Sequence, residues 1–589
     1  MFNSIRYKDK EPKQTIQYAR DFLHSMGLLT IEKWFDSYDS NFYSVFLRVD
    51  GMLYGTFGKG ITRENALASA YGEFMERMQN QMLYQGDINP SLSKRFLFLR
   101  SSDEKKMDLN EVLEQNFFTN KEKANILYNE IQKYCQQVKD EKLTVLPFYD
   151  VTGKTTVYIP IIVADTLFYT NGMSAGNTYQ EALVQALCEI FERHSMKRII
   201  KEKITPPTIP YCYLKKYPEI AQVINTLESK KNYSVIVKDC SLGEGIPVVC
   251  IVVIDKQNNK YMIRFGSHPV FEIAIERCFT EIFQGKNINN ITINKFTFSD
   301  IEDVLQKRNI FRSGIGNFPI DFFEDKESYS FSEYDDISSK SNSYLANILL
   351  KRLEKFHLPI LIRDESISDI VSLRIIVPGF SEIFDKANYT DYSHKSQAHA
   401  IMRNIHNAKN EELHILYDFI VEAEKIDGNL TLANLLNIPV DTRYALVNSS
   451  IQFLKFLILY KMDEIHKAFN ELQMLSLDET VNKDYFICLK EFLCALDKGQ
   501  MTNYIFNILR KFYLSDVVDK VYQQFINYDN FFDSFYLRTN CWDCDHCKAD
   551  TCCSYLMTEK FYSQVLANKN KKTINQQEKI SYIMNQICY

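Results

Sequence analysis

Two stretches of the chain pair glutamates at a spacing suited to holding a cation. Glu73 and Glu76 lie three residues apart and are followed by Arg77; Glu189 and Glu192 lie three apart and are followed by Arg193. On a helix, residues three or four apart share a face. Ser69, Glu73 and Glu76 therefore form one stripe, and Gln185, Glu189 and Glu192 a second; Arg277, Glu281 and Gln284 repeat the spacing in a looser third copy. Paired carboxylates on a helix repel by about 0.2–0.5 kcal/mol, and this far from the helix start the dipole gives them no help. The arrangement is unfavourable unless a cation offsets it. A solvated glutamate pair completed by an arginine would account for one such helix, but not for two matching copies and a partial third. Carboxylate oxygens suit a hard cation, and Mg²⁺ takes octahedral oxygen ligation that it commonly shares with nucleotide phosphates. Glu73, Glu76, Glu189 and Glu192 are thus candidate Mg²⁺ ligands. Ser69, Ser174, Asn177, Arg193, Arg277 and Gln284 are candidate contacts to phosphate, ribose or base.

The glutamates belong to a longer repeat. Gly60 to Arg77 aligns without a gap on Gly176 to Arg193, with eight identical positions: the Gly, the Thr, Ala-Leu, a second Ala, both Glu and the Arg. Thr62 and Thr178 are predicted helix N-caps, and Thr178-x-x-Glu181 has the pattern of a capping box. Ala66, Ala70 and Phe74 fall on one face, as do Ala182, Ala186 and Ile190, and small residues there let neighbouring backbones approach. Gly58-Lys59-Gly60 reads as a plain turn. No Gly-x-x-x-x-Gly-Lys-Ser/Thr element is present, which excludes a P-loop site.

The elements that must carry these stripes mix strands and helices. An amphipathic helix is predicted over 14–27. Strands are predicted at 43–49 and 52–57 around an Asp50-Gly51 hairpin signal. Further strands are read at 157–164, 166–169, 233–238, 247–255, 261–265, 358–363 and 371–377, with a third helix starting near Pro269. Strands preceding helices predict an α+β domain over 1–390. From 391 to 535 the pattern becomes helix after helix, a TPR-like scaffold without consensus spacing. Residues 536–589 form a Cys-rich segment and polar tail.

These motifs resemble the YcaO family. The two Glu-x-x-Glu-Arg segments, Ser174 to Thr178, Ala274-x-x-Arg277-x-x-x-Glu281-x-x-Gln284 and Arg374 to Gly379 carry the likeness, over about residues 5–385. Within the family, Thr156 to Pro160 and Ser174 to Thr178 are similar to the stand-alone members of the bacterial cytosol. The resemblance implies an ATP site in which Glu73, Glu76, Glu189 and Glu192, with Glu281, hold Mg²⁺. It adds Lys8, Glu181 and Arg374 to the nucleotide contacts. Family chemistry uses ATP to activate a backbone amide oxygen. The chain ends Gln586-Ile587-Cys588-Tyr589 without the proline-rich terminus of azoline-forming members. The likeness to stand-alone members therefore favours an accessory role in β-methylthiolation of ribosomal protein S12, beside a radical SAM methylthiotransferase. Formation of azolines, amidines or thioamides, or a nucleotide-sensing scaffold without chemistry, stay open. A homodimer is a family-level expectation.

Cys541-x-x-Cys544-x-x-Cys547 with Cys552-Cys553 is a second constellation. Thiolates at that spacing suit Zn²⁺, or an iron–sulfur cluster. His194, beside Arg193, reads as a packed histidine before it reads as a base, and Cys188 as core. A net charge of −6 argues against non-specific nucleic-acid binding. The apolar runs are too short to span a bilayer, and residues 1–25 are too polar for a signal peptide, so a cytoplasmic location is expected.

Overall fold

A computed structural model describes residues 7–36, 42–50, 55–83, 101, 103–115, 129, 131–132, 142–231, 233–284, 291–297, 310–311 and 314–384. Beyond these it describes 397–398, 400–402, 404–424, 451–475, 483–526, 531–532, 554–571 and 575–587. The chain divides into two units. The first comprises Met1–Tyr84, Leu99–Tyr389 and Met557–Tyr589; the second comprises Gln85–Phe98 and Thr390–Leu556.

The first unit mixes helices with three antiparallel sheets, an α+β architecture. Strands β1 (Thr30–Asp36), β2 (Tyr43–Val49) and β3 (Gly55–Gly60) form a three-stranded sheet in that order. Strands β4 (Lys105–Asp108), β5 (Lys142–Asp150), β6 (Thr155–Pro160), β7 (Met173–Gly176), β12 (Leu361–Asp364) and β13 (Val371–Ile376) form a six-stranded sheet. Its order is β4-β5-β12-β13-β7, with β6 beside β5. Strands β8 (Tyr233–Asp239), β9 (Val248–Asp255), β10 (Lys260–Ser267) and β11 (Asn294–Lys295) form the third. The main helices of this unit are α1 (Pro12–Ser25), α2 (Arg63–Gln79), α3 (Tyr179–Lys201), α4 (Pro218–Lys231), α5 (Phe271–Phe283) and α6 (Asn342–Glu354).

Helix α3 is the hub. Its Leu183, Leu187, Ile190 and Phe191 share one core with Leu373 and Ile375 of β13 and with Cys250, Val252 and Ile263 of β9 and β10. The helix is thus packed between the two larger sheets. Full burial of each such large side chain contributes about 1.5–3 kcal/mol, enough to hold α3 against the unfavourable glutamate stripe it carries.

Three strand–helix pairs share one packing device. A Cβ on Gly58 would lie 2.0 Å from the Ala66 carbonyl oxygen and 2.4 Å from the Ala70 nitrogen. A Cβ on Gly266 would lie 2.2 Å from the Ala274 carbonyl oxygen and 3.1 Å from the Cys278 nitrogen. On Gly60 it would meet the Ala66 nitrogen at 2.5 Å, and on Gly176 the Ala182 nitrogen at 2.6 Å. Only glycine lets each strand press on its helix this closely. The pairs β3–α2, β7–α3 and β10–α5 are therefore three copies of one unit, and the repeated Gly and Ala are its contact points.

Two local expectations change. Gly58-Lys59-Gly60 is not a turn but the end of β3, whose register pairs Lys59 with Ser44 and Gly60 with Tyr43. Residues 164–168 form a helical turn rather than a strand, where the Thr166 hydroxyl donates to the Ile162 carbonyl at 2.6 Å. The Asp50-Gly51 turn runs beyond the described residues.

In the second unit, helices α7 (Asn410–Glu424), α8 (Ile451–Lys461), α9 (Ile465–Met474), α10 (Lys483–Asp497), α11 (Thr502–Phe512) and α12 (Ser515–Ile526) build a separate all-helical core around Leu454, Leu457, Leu489, Phe492 and Phe525. Helices α13 (Ser554–Lys571) and α14 (Gln576–Ile587) follow, and α14 belongs to the first unit. In α14, Ile580, Ile583 and Ile587 enter the α3 core, and the Gln576 amide bonds both backbone groups of Asp364, at 2.9 and 3.0 Å. Among the described residues no helix is long and apolar enough to cross a membrane.

Candidate functional site

Helices α2 and α3 begin alike. The Thr62 hydroxyl accepts from the Asn65 N–H at 3.0 Å, and the Thr178 hydroxyl from the Glu181 N–H at 3.1 Å. Each cap satisfies one orphan donor of the first turn. The predicted capping box at Thr178 does not close, because the Glu181 carboxylate turns elsewhere. It accepts from Lys8 Nζ at 3.1 Å, from the Asp9 N–H at 3.0 Å and from Asn177 Nδ2 at 3.0 and 3.2 Å. Burial pushes this carboxyl up, but Lys8, the Asp9 N–H and Asn177 outweigh it and hold it below the usual carboxylate range. Asn177 in turn accepts from Thr15 on α1 at 2.8 Å. Lys8, Asn177 and Glu181 are thus one cluster at the start of α3.

The two glutamate pairs face one another. Burial, with added repulsion from Glu189 and Glu73, raises Glu76 to about 8 despite neighbouring Arg77. Arg77 lies 3.1 Å from Glu76 and 3.6 Å from Glu73. Glu189 is raised by burial and by Glu192 and Glu73, against Arg193 and Arg77. Glu192 is raised by burial alone, against Arg193, Arg277, Lys59 and Arg264. Like charges this near make a group hard to ionise unless a cation arrives.

Helix α5 closes the third side. Arg277 donates through Nη2 to Gln185 at 2.5 Å and through Nη1 to the Ser267 carbonyl at 3.1 Å. Glu281 pairs with Lys59, whose ammonium also donates to Gln284 at 3.5 Å. Burial lowers Lys59 to about 8, against the pull of Glu73 and Glu192. Lys59 is the residue that sequence reasoning missed. The flanking glycines suggested a turn, whereas they are there to let β3 meet α2. Arg264, buried on β10, was also missed; burial lowers it to about 10 beside Arg193 and Glu192.

Buried polar atoms in this neighbourhood with no hydrogen-bond partner among the described residues include Ser174 Oγ on β7, Arg193 Nε on α3, and Arg264 Nε and Ser267 Oγ on β10. Ser69 is half-buried on the α2 stripe, four residues before Glu73. Arg374 lies on β13. The register pairs Leu373 with Ser174, so Arg374 points to the opposite sheet face. There it meets Asp165 at 3.0 Å and the Tyr169 carbonyl at 3.3 Å. His194 stacks on Phe380 with centroids 3.5 Å apart, its Nδ1 donating to the Phe380 carbonyl at 3.1 Å, and burial lowers it to about 4. It is a packed residue. Cys541, Cys544, Cys547, Cys552 and Cys553 lie outside the described residues; among those described, no three or more His, Cys, Asp or Glu side chains, the glutamates of α2, α3 and α5 included, are drawn together closely enough to cage a metal ion.

The donor set is one of hard oxygens on three helices, ringed by guanidinium groups and one lysine. Hard oxygens suit a divalent cation, and guanidinium and ammonium groups suit an anionic ligand. Comparison with known proteins gives it a family. Residues 57–381 match the family described as YcaO cyclodehydratase, ATP- and Mg²⁺-binding, and the chain belongs to the YcaO family.

A relative in Escherichia coli K12, named ribosomal protein S12 methylthiotransferase accessory factor YcaO, is 30% identical over 64% of this chain and 66% of its own length. An uncharacterized protein of Haemophilus influenzae is 30% identical over 56% of this chain and 57% of its own. The chain thus spans less than two thirds of either relative. The solved structure of YcaO from Methanopyrus kandleri bound with AMPPCP and Mg²⁺ is 18% identical, with a TM-score of 0.44, over 65% of this chain and 95% of that one. That likeness is too loose to transfer a ligand set.

Proposed function

We propose that the first unit binds ATP with Mg²⁺ between α2, α3 and α5, and that the chain acts as an accessory factor in methylthiolation of ribosomal protein S12. The observation that carries the binding reading is the convergence of Glu73, Glu76, Glu189 and Glu192, with burial holding the last three above the usual carboxylate range and repulsion from neighbouring glutamates adding to it at Glu76 and Glu189. Lys59, Arg77, Arg193, Arg264 and Arg277 already surround these groups and Glu281. Five acidic side chains thus face five basic ones. A ligand that brings its own counter-charge fits, as a polyphosphate does when it arrives with divalent cations.

In this reading Glu73, Glu76, Glu189, Glu192 and Glu281 hold Mg²⁺. Arg193 and Ser174 offer their unmatched polar atoms to phosphate oxygens, and Arg277 and Gln284 add donors. Ser69 stands on the same stripe as Glu73. Lys8, Asn177 and Glu181 form the rim at the start of α3. Arg374 pairs with Asp165 at 3.0 Å and offers its buried guanidinium to the nucleotide. Bound Mg²⁺ would neutralise phosphate charge and polarise the phosphoryl group.

The accessory role rests on the name of the E. coli relative and implies a methylthiotransferase and S12 as partners. It is tested by mass spectrometry of S12 in a strain lacking this gene, complemented with wild type or Glu76→Gln. The methylthio mark should vanish in the deletion and return only with the wild-type gene. An unchanged mark rejects the role. The family's description favours a second reading, ATP-dependent activation of a peptide backbone amide. Peptide-dependent release of phosphate from ATP would support it, and nucleotide binding without turnover would leave a sensing scaffold.

A further inference from the structure

We propose that Lys59 competes with the metal: its ammonium holds Glu281 until a divalent ion arriving with a nucleotide displaces it. The inference rests on the carboxylate site being the Mg²⁺ site. Lys59 sits on β3 between Gly58 and Gly60, whose backbone is pressed against Ala66 and Ala70 of α2. Alternation along the strand sends the Lys59 side chain to the other face, where it pairs with Glu281 and donates to Gln284 at 3.5 Å. Glu73 and Glu192 also act on its charge. One ammonium therefore stands among carboxylates from all three helices.

Glu281 holds in α5 the stripe position that Glu73 holds in α2 and Glu189 in α3. Lys59 thus occupies one of three equivalent ligand positions. Lysine suits a displaceable role because its ammonium is a point charge on a flexible stem. Arg277 is tied instead through both Nη groups to Gln185 and Ser267. A divalent ion gains Glu281 only by breaking the Lys59 pair. The released ammonium then needs an anion, and a polyphosphate supplies it. Metal and nucleotide would therefore bind in a coupled way, each raising the affinity of the other by the same factor.

The test measures Mn²⁺ binding to the full chain from the electron paramagnetic resonance signal of the free ion, with and without AMPPNP. Wild type should bind Mn²⁺ weakly alone and more tightly with AMPPNP. Lys59→Met and Lys59→Gln should bind Mn²⁺ alone roughly three- to tenfold more tightly, as expected when a competing ion pair is removed, and should gain less from AMPPNP. Lys59→Arg keeps the charge in a form harder to displace, and should bind Mn²⁺ alone no more tightly than wild type; tighter binding would overturn the proposal. The proposal is overturned if either neutral variant, folded as judged by circular dichroism, binds Mn²⁺ alone no more tightly than wild type. If wild type binds no Mn²⁺ even with AMPPNP, the metal reading of the site fails and the proposal goes with it.

Discussion

Arg277 donates to the side-chain oxygen of Gln185 at 2.5 Å, and the two residues hold the same position in two copies of one strand–helix unit. Ser69 holds that position in the remaining copy. The stripes of α3 and α5 therefore meet register to register, and the Glu76 and Glu189 carboxylates lie near enough to repel, which places the α2 stripe beside that of α3. Internal repetition has placed equivalent polar positions around a common centre, while the equivalent Gly and Ala positions fix the helices at close range from their strands.

Arg277→Lys tests the register contact. One ammonium cannot span both Gln185 and the Ser267 carbonyl as a guanidinium fork does. Affinity for Mg²⁺–AMPPNP should fall about tenfold, equivalent to about 1.4 kcal/mol, with only a small change in melting temperature. Calorimetric titration beside a thermal melt checks it. Unchanged affinity would make Arg277 a structural tie only.

Glu76→Gln and Glu192→Gln test the metal ligands. Each removes one anionic oxygen donor at nearly constant volume. Nucleotide affinity should fall at least about tenfold in Mg²⁺ and stay near wild type in EDTA. An equal loss in both buffers would assign the glutamates to packing instead of metal.

Much of this arrangement is legible in the residues themselves. The eight identities between Gly60–Arg77 and Gly176–Arg193 resolve into caps, close contacts and a charged stripe, all properties of local spacing. What escapes depends on contacts across space. Gly-Lys-Gly has turn composition, and only the pressure of Ala66 and Ala70 on Gly58 explains why the strand continues through it. Arg374 lies on a strand readable from its pattern, but its face follows from pairing with β7. Glu181 has the spacing of a capping box, yet Lys8, far away in the chain, offers its carboxylate a charge-assisted bond in place of a neutral one. The third repeat is faint in sequence because Gly266, Ala274 and Glu281 remain while Val270 stands at the capping threonine and Gln284 at the second glutamate.

The raised carboxyl of Glu76 gives the chelated protein a pH signature. Its folded value, about 8, lies above the ordinary carboxylate value, so between about 4.5 and 8 the folded state binds a proton that the unfolded state has lost. Unfolding free energy must then fall as pH rises through that window. In EDTA the melting temperature should drop from pH 5.5 to pH 8. Glu76→Gln should flatten the drop, and Mg²⁺ with AMPPNP should offset it by favouring the ionised form. Thermal melts across this range decide it, and a Glu76→Gln profile matching wild type would remove Glu76 as the source.

The close strand–helix contact makes a prediction of opposite signs at two glycines. At Gly176 an added Cβ would stand 2.6 Å from the Ala182 nitrogen and 3.0 Å from its Cα, both backbone atoms that cannot rotate away. Gly176→Ala must therefore push β7 from the start of α3, costing about 1–3 kcal/mol and displacing Thr178 and Asn177 with it. At Gly72, inside α2, an added Cβ meets nothing within 4 Å. Gly72→Ala there should stabilise by about 0.5–1 kcal/mol through helix propensity. Denaturant unfolding of the two variants measures both signs. Nucleotide affinity should fall in Gly176→Ala and hold in Gly72→Ala, because only the first moves the rim of the site. If Gly176→Ala is as stable as wild type, the repeat's glycines are not the contact points that set the helices in place.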